Sequence, residues 1–173
     1  QNLEGLVLLT IKKMKDTKTI LEPDCLYHIY NRTNGSEQLF LNEENYRYFM
    51  EKFRQYVQPV AQVWAYCLMP NHFHFLVKVR SEGEILELEL FQKSKASRIG
   101  NLQGFITQQF SNFFNAYSKA FNKQHRRKGS LFMHPYKRIK ITSEKYLAKL
   151  IHYIHYNPVE AGVPSSPDDW KFS

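Results

Sequence analysis

The stretch that decides the fold is Met-Pro-Asn-His-Phe-His-Phe-Leu-Val-Lys-Val, residues 69–79. Successive side chains of a β-strand point to opposite faces of its sheet. From His72 onward, one face therefore carries two histidines, and the other carries only apolar side chains: Phe73, Phe75, Val77 and Val79. This alternation predicts a strand at residues 72–79 with one face in the core. Residues 60–68 predict a second strand, and the intervening Met-Pro-Asn predicts the turn of an antiparallel pair.

The elements around this pair follow from hydrophobic spacing and from cap and turn residues. The expected elements are a strand at 26–31, a helix at 42–56 capped by Asn42, a short helix at 81–90, a long helix at 103–122, a strand at 136–141, and a last helix that begins at Thr142 or Ser143. Pro158 predicts that the last helix ends at Asn157. The order β-α-β-β-α-β-α predicts an α+β fold, in which helices cover an antiparallel sheet.

The last helix also predicts which side chains share a face. Its expected buried stripe consists of Leu147, Leu150, Ile151 and Ile154. Tyr153 and Asn157 are four residues apart, so they lie one above the other at the border of this stripe. Tyr156 points away and is expected to be exposed. A purely structural interpretation is also open. In it, the tyrosine is an amphipathic side chain at the rim of the core, and the asparagine only ends the helix.

Length and composition limit the classes of protein. The 173 residues predict one domain at 25–173, preceded by a weakly patterned arm at 1–24 whose role is open. There is no apolar run of about 18 residues, so no membrane span is expected. Cys25 and Cys67 are far apart in the sequence, which is typical of a reducing cytoplasm and argues against a disulfide scaffold or a cysteine zinc site.

The positive charge is concentrated in one third of the chain. The net charge is +8, and residues 90–143 contain eleven basic residues and no acidic one. The other 13 basic residues are outnumbered by 16 acidic ones. Such a block is typical of a protein that binds a phosphate backbone, although a solvated basic face without a partner is the alternative. The residues we expect to contact the backbone are Arg126, Arg127, Lys128, Lys137, Arg138 and Lys140.

Three features together indicate one reaction. Two imidazoles at i and i+2 on one strand face, His72 and His74, can hold one divalent metal, although two polar residues on a half-exposed strand give the same pattern. A tyrosine hydroxyl, with its ordinary pKa of about 10, needs help to attack phosphorus. A metal held by the two histidines and an amide oxygen could polarise a phosphate oxygen. The combination fits a phosphotyrosine link between Tyr153 and a cut nucleic-acid strand.

Residues 69–77 resemble the HUH motif of the single-tyrosine transposases, in which U is a hydrophobic residue, here Phe73. Residues 127–132 resemble the middle motif of that family. Residues 153–162 resemble the nucleophile motif of its REP-associated subgroup, and residues 168–173 resemble the segment after it. The match runs from about Cys25 to Ser173, with the motifs in the order that the family has.

The resemblance implies a ferredoxin-like palm with Tyr153 as nucleophile, His72 and His74 as ligands of Mg²⁺ or Mn²⁺, and Asn157 completing the metal shell. It implies single-stranded DNA as substrate, often near a hairpin, a 5′-phosphotyrosine intermediate, and a free 3′-OH that can later rejoin strands. Dimers and monomers both occur in the family, so a homodimer stays open here.

Two other functions stay open on the sequence. One is a domesticated DNA-binding protein of the same fold that does not cleave, and the other is an RNA-hairpin-binding module with an incidental histidine pair.

For several further residues, packing or a contact with phosphate is the simplest interpretation. Tyr30, Tyr46, Tyr117 and Tyr146 are expected to pack, His28 to be a sheet residue, and His125 and His134 to be candidates for phosphate contact.

Overall fold

The computed structural model of the chain describes residues 19–98, 100–162 and 169–173. Most of the expected arm, and Asp168 of the last motif, lie outside these residues. The elements are β1 (Leu26–Arg32), α1 (Glu43–Tyr56), β2 (Ala61–Met69), β3 (His72–Val79), α2 (Glu82–Leu86), α3 (Glu89–Gln92), α4 (Lys95–Arg98), α5 (Leu102–Gln124), β4 (Lys137–Lys140) and α6 (Glu144–Glu160). The predicted order is confirmed, and the expected helix at 81–90 corresponds to the two short helices α2 and α3. None of the described helices is long and apolar enough to cross a bilayer.

The four strands form one sheet in the order β2-β3-β1-β4, and each neighbouring pair is antiparallel. This is the strand order of a ferredoxin-like β-α-β-β-α-β fold. The histidine strand β3 and the strand β1 occupy the two central positions. In the β1–β3 register, Tyr30 lies opposite His74 and Arg32 lies opposite His72. The expected α+β fold with an antiparallel sheet is confirmed.

One face of the sheet is covered by α1 and α5 through packed aromatic rings. Phe53 of α1 stacks on Phe75 of β3 with ring centroids 4.4 Å apart. Phe49 contacts both Phe73 of β3 and Phe113 of α5, at centroid distances of 5.3 and 4.7 Å. The 4, 3, 1, 3 and 4 spacing of apolar residues in α5 predicts one buried face, and all six of its residues are buried: Ile106, Phe110, Phe113, Phe114, Tyr117 and Phe121. These rings bury large apolar areas and provide the main favourable contribution to folding on this face.

The opposite face of the sheet, which carries the histidines, is covered by α6. Leu150 and Ile154 of α6 are fully buried and belong to a cluster with Ala65, Cys67 and Leu76 of the sheet. The helix begins at its expected cap, where the Ser143 hydroxyl accepts a hydrogen bond from a backbone N–H. The helix thereby reaches across β2 and β3 and ends beside the histidines.

Two expectations about α6 are wrong. Ile151 is 36% exposed, because the buried face of the helix is rotated toward Tyr153 and Asn157, which are 9% and 8% exposed. The helix also continues past Asn157 to Glu160, with Pro158 inside it. A proline removes one backbone N–H. Here the loss falls in the last turn, where Pro158 is buried and the N–H of Ala161 still donates to the Asn157 carbonyl at 3.1 Å.

The outer edge of β2 is partly covered by the C-terminal residues 169–173. The Leu68 N–H donates to the Phe172 carbonyl at 2.9 Å, and the indole N–H of Trp170 donates to the Leu68 carbonyl at 3.1 Å. Phe172 also stacks on Tyr46 of α1 at a centroid distance of 3.9 Å. This segment protects an edge strand whose free backbone groups would otherwise be open to pairing with another chain.

The orientation of α6 predicts how two neighbouring substitutions change the stability of the chain. We expect Leu150→Ala to lower the free energy of unfolding by about 2–5 kcal/mol, because it leaves a cavity under the helix. Ile151→Ala, one residue further on, should lower it by less than about 1 kcal/mol, because that side chain is 36% exposed and does not belong to the buried cluster under the helix. Urea unfolding followed by circular dichroism measures both. Equal losses in the two variants would contradict the observed orientation of α6.

Candidate active site

A cleft of about 430 Å³ lies where the ends of β1, β3 and β4 meet α6. Its walls come from separate elements because the sheet register places their side chains in one row. Tyr30 of β1 stands between His74 of β3 and Lys137 of β4, since it is the direct partner of both. The residues that line the cleft are Tyr30, Asn31, Arg32, Asn71, His72, His74, Met133, Lys137 and Tyr153.

His72 lies between two amide oxygens. Its Nε2 atom is 3.1 Å from Oδ1 of Asn157, and its Nδ1 atom is 2.7 Å from Oδ1 of Asn71. Burial lowers the pKa of His72, and the nearby Arg32 lowers it further against the opposing hydrogen bond of Asn157. The ring is therefore neutral near pH 7 and has one N–H, so it donates to only one of the two oxygens. When Nδ1 donates to Asn71, the Nε2 lone pair faces the Asn157 oxygen.

His74 is buried beside His72, with the two rings nearly perpendicular and their centroids 5.3 Å apart. Its Nδ1 atom is 2.8 Å from Nε2 of His28 on β1. Burial holds the pKa of His74 well below its usual range, and the neighbouring His28 and His72 act in the same direction. The rings of His74 and Tyr153 meet edge-on, at a centroid distance of 5.2 Å. The histidine pair and the helix tyrosine are thus in direct contact.

The donors at this site fit a divalent cation. Two neutral imidazoles and the Asn157 amide oxygen can all donate lone pairs. In the tautomer of His72 that donates to Asn71, the lone pairs of Nε2 and of the Asn157 oxygen face each other at 3.1 Å, and a cation between them would stabilise this arrangement. Adjacent ligands of an octahedral ion with bonds of about 2.1 Å are about 3.0 Å apart, which matches this separation. In the described part of the chain, no cluster of three or more His, Cys, Asp or Glu side chains offers a metal site. Asn157 is the amide whose oxygen lies at this spacing from the Nε2 atom of His72.

The charge around the cleft is positive, but the expected basic residues do not form one surface. Arg32 and Lys137 line the cleft, and no acidic side chain is among its lining residues. Arg138 and Lys140 pair with Ile29 and Tyr27, so they lie on the opposite face of the sheet. There Arg138 contacts the Tyr136 hydroxyl at 3.2 Å, and Lys140 forms an ion pair with Glu22 at 2.6 Å.

The three other expected basic residues follow α5, outside the lining of the cleft. Arg127 forms an ion pair with Glu37 and also donates to the Asn122 side chain at 2.7 Å. Arg126 and Lys128 on either side of it are exposed. Of the six basic residues that the sequence assigned to one DNA-contacting set, the structure brings only Lys137 to the cleft.

The sequence interpretation did not assign β1 to the site. Tyr30 was expected to pack and His28 to be a sheet residue, yet Tyr30 lines the cleft and His28 contacts His74. The missed signal is the alternation His28, Tyr30, Arg32, which places three polar side chains on one strand face. Tyr117, in contrast, is buried as expected, and its hydroxyl donates to the Leu39 carbonyl at 2.5 Å.

Comparisons with known proteins support the resemblance found in the sequence. No family model matches the chain. A curated protein of Haemophilus influenzae named "Putative REP-associated tyrosine transposase" is 28% identical over 109 residues, which are 63% of this chain. The match spans 56% of that relative, a little over half of its length.

A solved structure has the same fold. It is described as a REP-associated tyrosine transposase bound to a REP hairpin, and it covers 92% of this chain with a TM-score of 0.59 at 16% identity. This chain matches 81% of that one. The sequence relative and the solved structure are both described as REP-associated tyrosine transposases, and the solved structure, at 16% identity, shows the likeness of the fold alone.

The buried histidines make a prediction about pH. Burial lowers the pKa of His28 to about 3 and also lowers those of His72 and His74, whereas all three return to about 6.5 on unfolding. Below pH 6.5 the unfolded chain therefore binds protons that the folded chain does not, so stability is complete above that pH and is lost below it. We expect the free energy of unfolding to fall between pH 7.5 and 5.5 by about 1 kcal/mol from His28 alone, with His72 and His74 acting in the same direction.

Urea unfolding at pH 7.5, 6.5 and 5.5 measures this slope. His28→Phe should flatten it, because one buried group that is protonated only in the unfolded chain is removed. His155→Phe replaces an exposed histidine of α6 and should leave the slope unchanged. A free energy of unfolding that does not depend on pH over this interval would show that the three rings are not held neutral by burial.

Proposed function

We propose that this chain, which groups with the REP-associated tyrosine transposases, cuts and rejoins single-stranded DNA with Tyr153 as nucleophile. The observation that carries the proposal is the edge-on contact of Tyr153 with His74, one ring away from the His72–Asn157 pair, in a cleft without acidic lining residues. A nucleophile beside a cation-binding set and a positive wall is the arrangement that phosphoryl transfer requires.

The proposed reaction exchanges one phosphodiester for another. The phenolic oxygen of Tyr153 forms a bond to the scissile phosphorus, and the bond from phosphorus to the 3′ oxygen of the preceding nucleotide breaks. The phenol loses its proton and the departing 3′ oxygen gains one, so the products are a 5′-phosphotyrosine and a free 3′-OH. Attack by a 3′-OH on the phosphotyrosine reverses the step and joins strands.

His72, His74 and Asn157 are the residues that would hold Mg²⁺ or Mn²⁺ in this proposal. The bound cation would supply Lewis acidity, which draws charge away from the phosphate and favours attack by a phenol. The neutral state of the buried histidines supports this assignment, because only an unprotonated ring nitrogen can bind a metal. The burial of Tyr153 against His74 also limits its rotamers, which helps to keep the hydroxyl oriented.

The proposed substrate is a DNA strand near a hairpin. Arg32 and Lys137 at the cleft would contact the phosphates next to the cut, which positions the strand without reading its sequence. We propose a hairpin because the solved structure of similar fold was determined with a bound REP hairpin. The family resemblance allows both a monomer and a homodimer.

The nucleophile is tested with a matched pair of tyrosine variants. We expect the wild-type chain, incubated with 5′- and 3′-labelled single-stranded hairpin DNA and Mn²⁺, to form a covalent adduct that survives denaturing electrophoresis. Tyr153→Phe should abolish the adduct, because it removes the attacking oxygen. Tyr156→Phe should retain it, because Tyr156 is 41% exposed and lies outside the cleft.

An adduct with Tyr153→Phe would show that another group attacks. Tight hairpin binding without an adduct, for wild type and with every metal tried, would favour the domesticated non-cleaving protein. Preference for an RNA hairpin over the DNA hairpin of the same sequence would favour the RNA-binding module.

The two faces of β4 carry different lysines, which gives a second test of the proposed function. Lys137→Ala should weaken binding of single-stranded DNA and reduce the salt dependence of the binding constant by about one phosphate contact. Lys140→Ala should have a smaller effect, because Lys140 lies on the opposite face of the sheet and is paired with Glu22. Fluorescence anisotropy between 50 and 200 mM salt measures both. An equal or larger effect of Lys140→Ala would place the DNA on the other side of the sheet.

A further inference from the structure

We propose that His28 is a positioning residue for the cation site: it accepts a hydrogen bond from Nδ1 of His74 and thereby reserves Nε2 of His74 for the metal. The inference rests on the proposed function for the existence of the cation site. It goes beyond that function because it assigns a role to a residue that does not line the cleft and contacts neither DNA nor metal.

The geometry around His28 is specific to one partner. Its Nε2 atom lies 2.8 Å from Nδ1 of His74, and the two rings are stacked with centroids 5.1 Å apart. The ring of His28 also stacks on Tyr30 at a centroid distance of 4.6 Å. His28 is fully buried, and its Nδ1 atom has no hydrogen-bond partner among the described residues. The contact with His74 is therefore the one polar interaction of this ring within the described part of the chain.

The position of one proton decides whether His74 can bind a metal. Nε2 of His28 and Nδ1 of His74 are 2.8 Å apart, a hydrogen-bond distance between two ring nitrogens, so the contact between them contains a single proton. If Nδ1 of His74 carries it, Nε2 of His74 has a free lone pair. If Nε2 of His28 carries it, the proton of His74 is on Nε2, and this nitrogen cannot bind a cation. A bound cation therefore selects the arrangement in which His28 is the acceptor, and His28 in turn fixes the orientation of the His74 ring.

Simple packing does not account for a histidine at this position. An apolar side chain of similar size would fill the same space beneath α6 and leave no unpartnered buried nitrogen. A role as a third metal ligand does not fit either. The Nε2 atom of His28 is occupied by His74, and its Nδ1 atom is fully buried. The hydrogen bond to His74 is the interaction that an apolar residue could not supply.

The test uses the full chain and Mn²⁺ binding measured by isothermal titration calorimetry. We expect His28→Phe to weaken Mn²⁺ binding by 10- to 100-fold, the usual loss when such a partner of a metal ligand is removed. His28→Gln should recover most of the affinity, because the amide oxygen of glutamine can accept from Nδ1 of His74. His155→Phe, at an exposed position, should bind Mn²⁺ as the wild type does.

A spectroscopic measurement tests the same inference without any variant. Long-range ¹H–¹⁵N correlation spectra of the wild-type chain with Mg²⁺ should show His74 protonated at Nδ1 and unprotonated at Nε2. Protonation at Nε2 of His74 in the loaded protein would overturn the proposal. So would a His28→Phe variant with wild-type Mn²⁺ affinity, or a His28→Gln variant that binds no better than His28→Phe.

Failure of this inference is distinguishable from failure of the proposed function. If His74→Ala loses Mn²⁺ binding and His28→Phe does not, the cation site stands and the positioning role falls. If wild type and His74→Ala bind Mn²⁺ equally, the cation site is overturned, and the role of His28 with it. If Mn²⁺ binding depends on His28 while Tyr153 forms no adduct, the positioning role stands and the cleavage reaction falls.

Discussion

The antiparallel pairing of β1 with β3 is the constraint on which the site depends. Its register places Tyr30 opposite His74, Arg32 opposite His72, and His28 opposite Leu76, one row further along the sheet. Because side chains alternate along a strand, a slip of one residue would move all the polar side chains of β1 to the core face and its apolar ones to the cleft. The same pairing supplies the cleft wall, the positive Arg32 and the imidazole that contacts His74.

The aromatic core on the other face of the sheet makes this register costly to change. Tyr27 and Ile29 of β1 are fully buried beneath α1 and α5, together with Phe73 and Phe75 of β3. The sheet can therefore keep polar residues on its second face, because its first face already provides the burial that folding requires. The helix α6 closes this second face only in part. Leu150 and Ile154 anchor it, and its buried polar residues, Tyr153 and Asn157, remain beside the histidines.

The sequence was sufficient for those parts of the fold that follow from local periodicity. The alternation around His72 and His74 predicted β3 and both of its faces, and the helical spacing in α5 predicted five of its six buried rings, all but Phe105. The spacing of Tyr153 and Asn157 predicted their common face. The rotation of α6 was not predictable from the helix alone, because Ile151 is as apolar as Leu150, and the choice between them depends on where the sheet meets the helix.

The wall of the cleft was likewise not predictable from local pattern. Lys137 and Arg138 are adjacent and equally basic, and only the pairing of β4 with β1 decides that Lys137 faces the cleft. His28 and Tyr30 look like ordinary strand residues until the pairing of β1 with β3 brings them against His74. The residues that a sequence motif carries could thus be named from the sequence, and those that reach the cleft through strand register could not.

The central claim is that Tyr153 becomes joined to DNA within this cleft. The most direct measurement is mass spectrometry of the trypsin-digested adduct that forms with a hairpin DNA. The tryptic peptide that contains Tyr153 and Tyr156 spans residues 150–171, and fragmentation separates the two tyrosines within it. The account predicts a nucleotide phosphate on Tyr153. A nucleotide on Tyr156, on Tyr30 or on any other residue would contradict it.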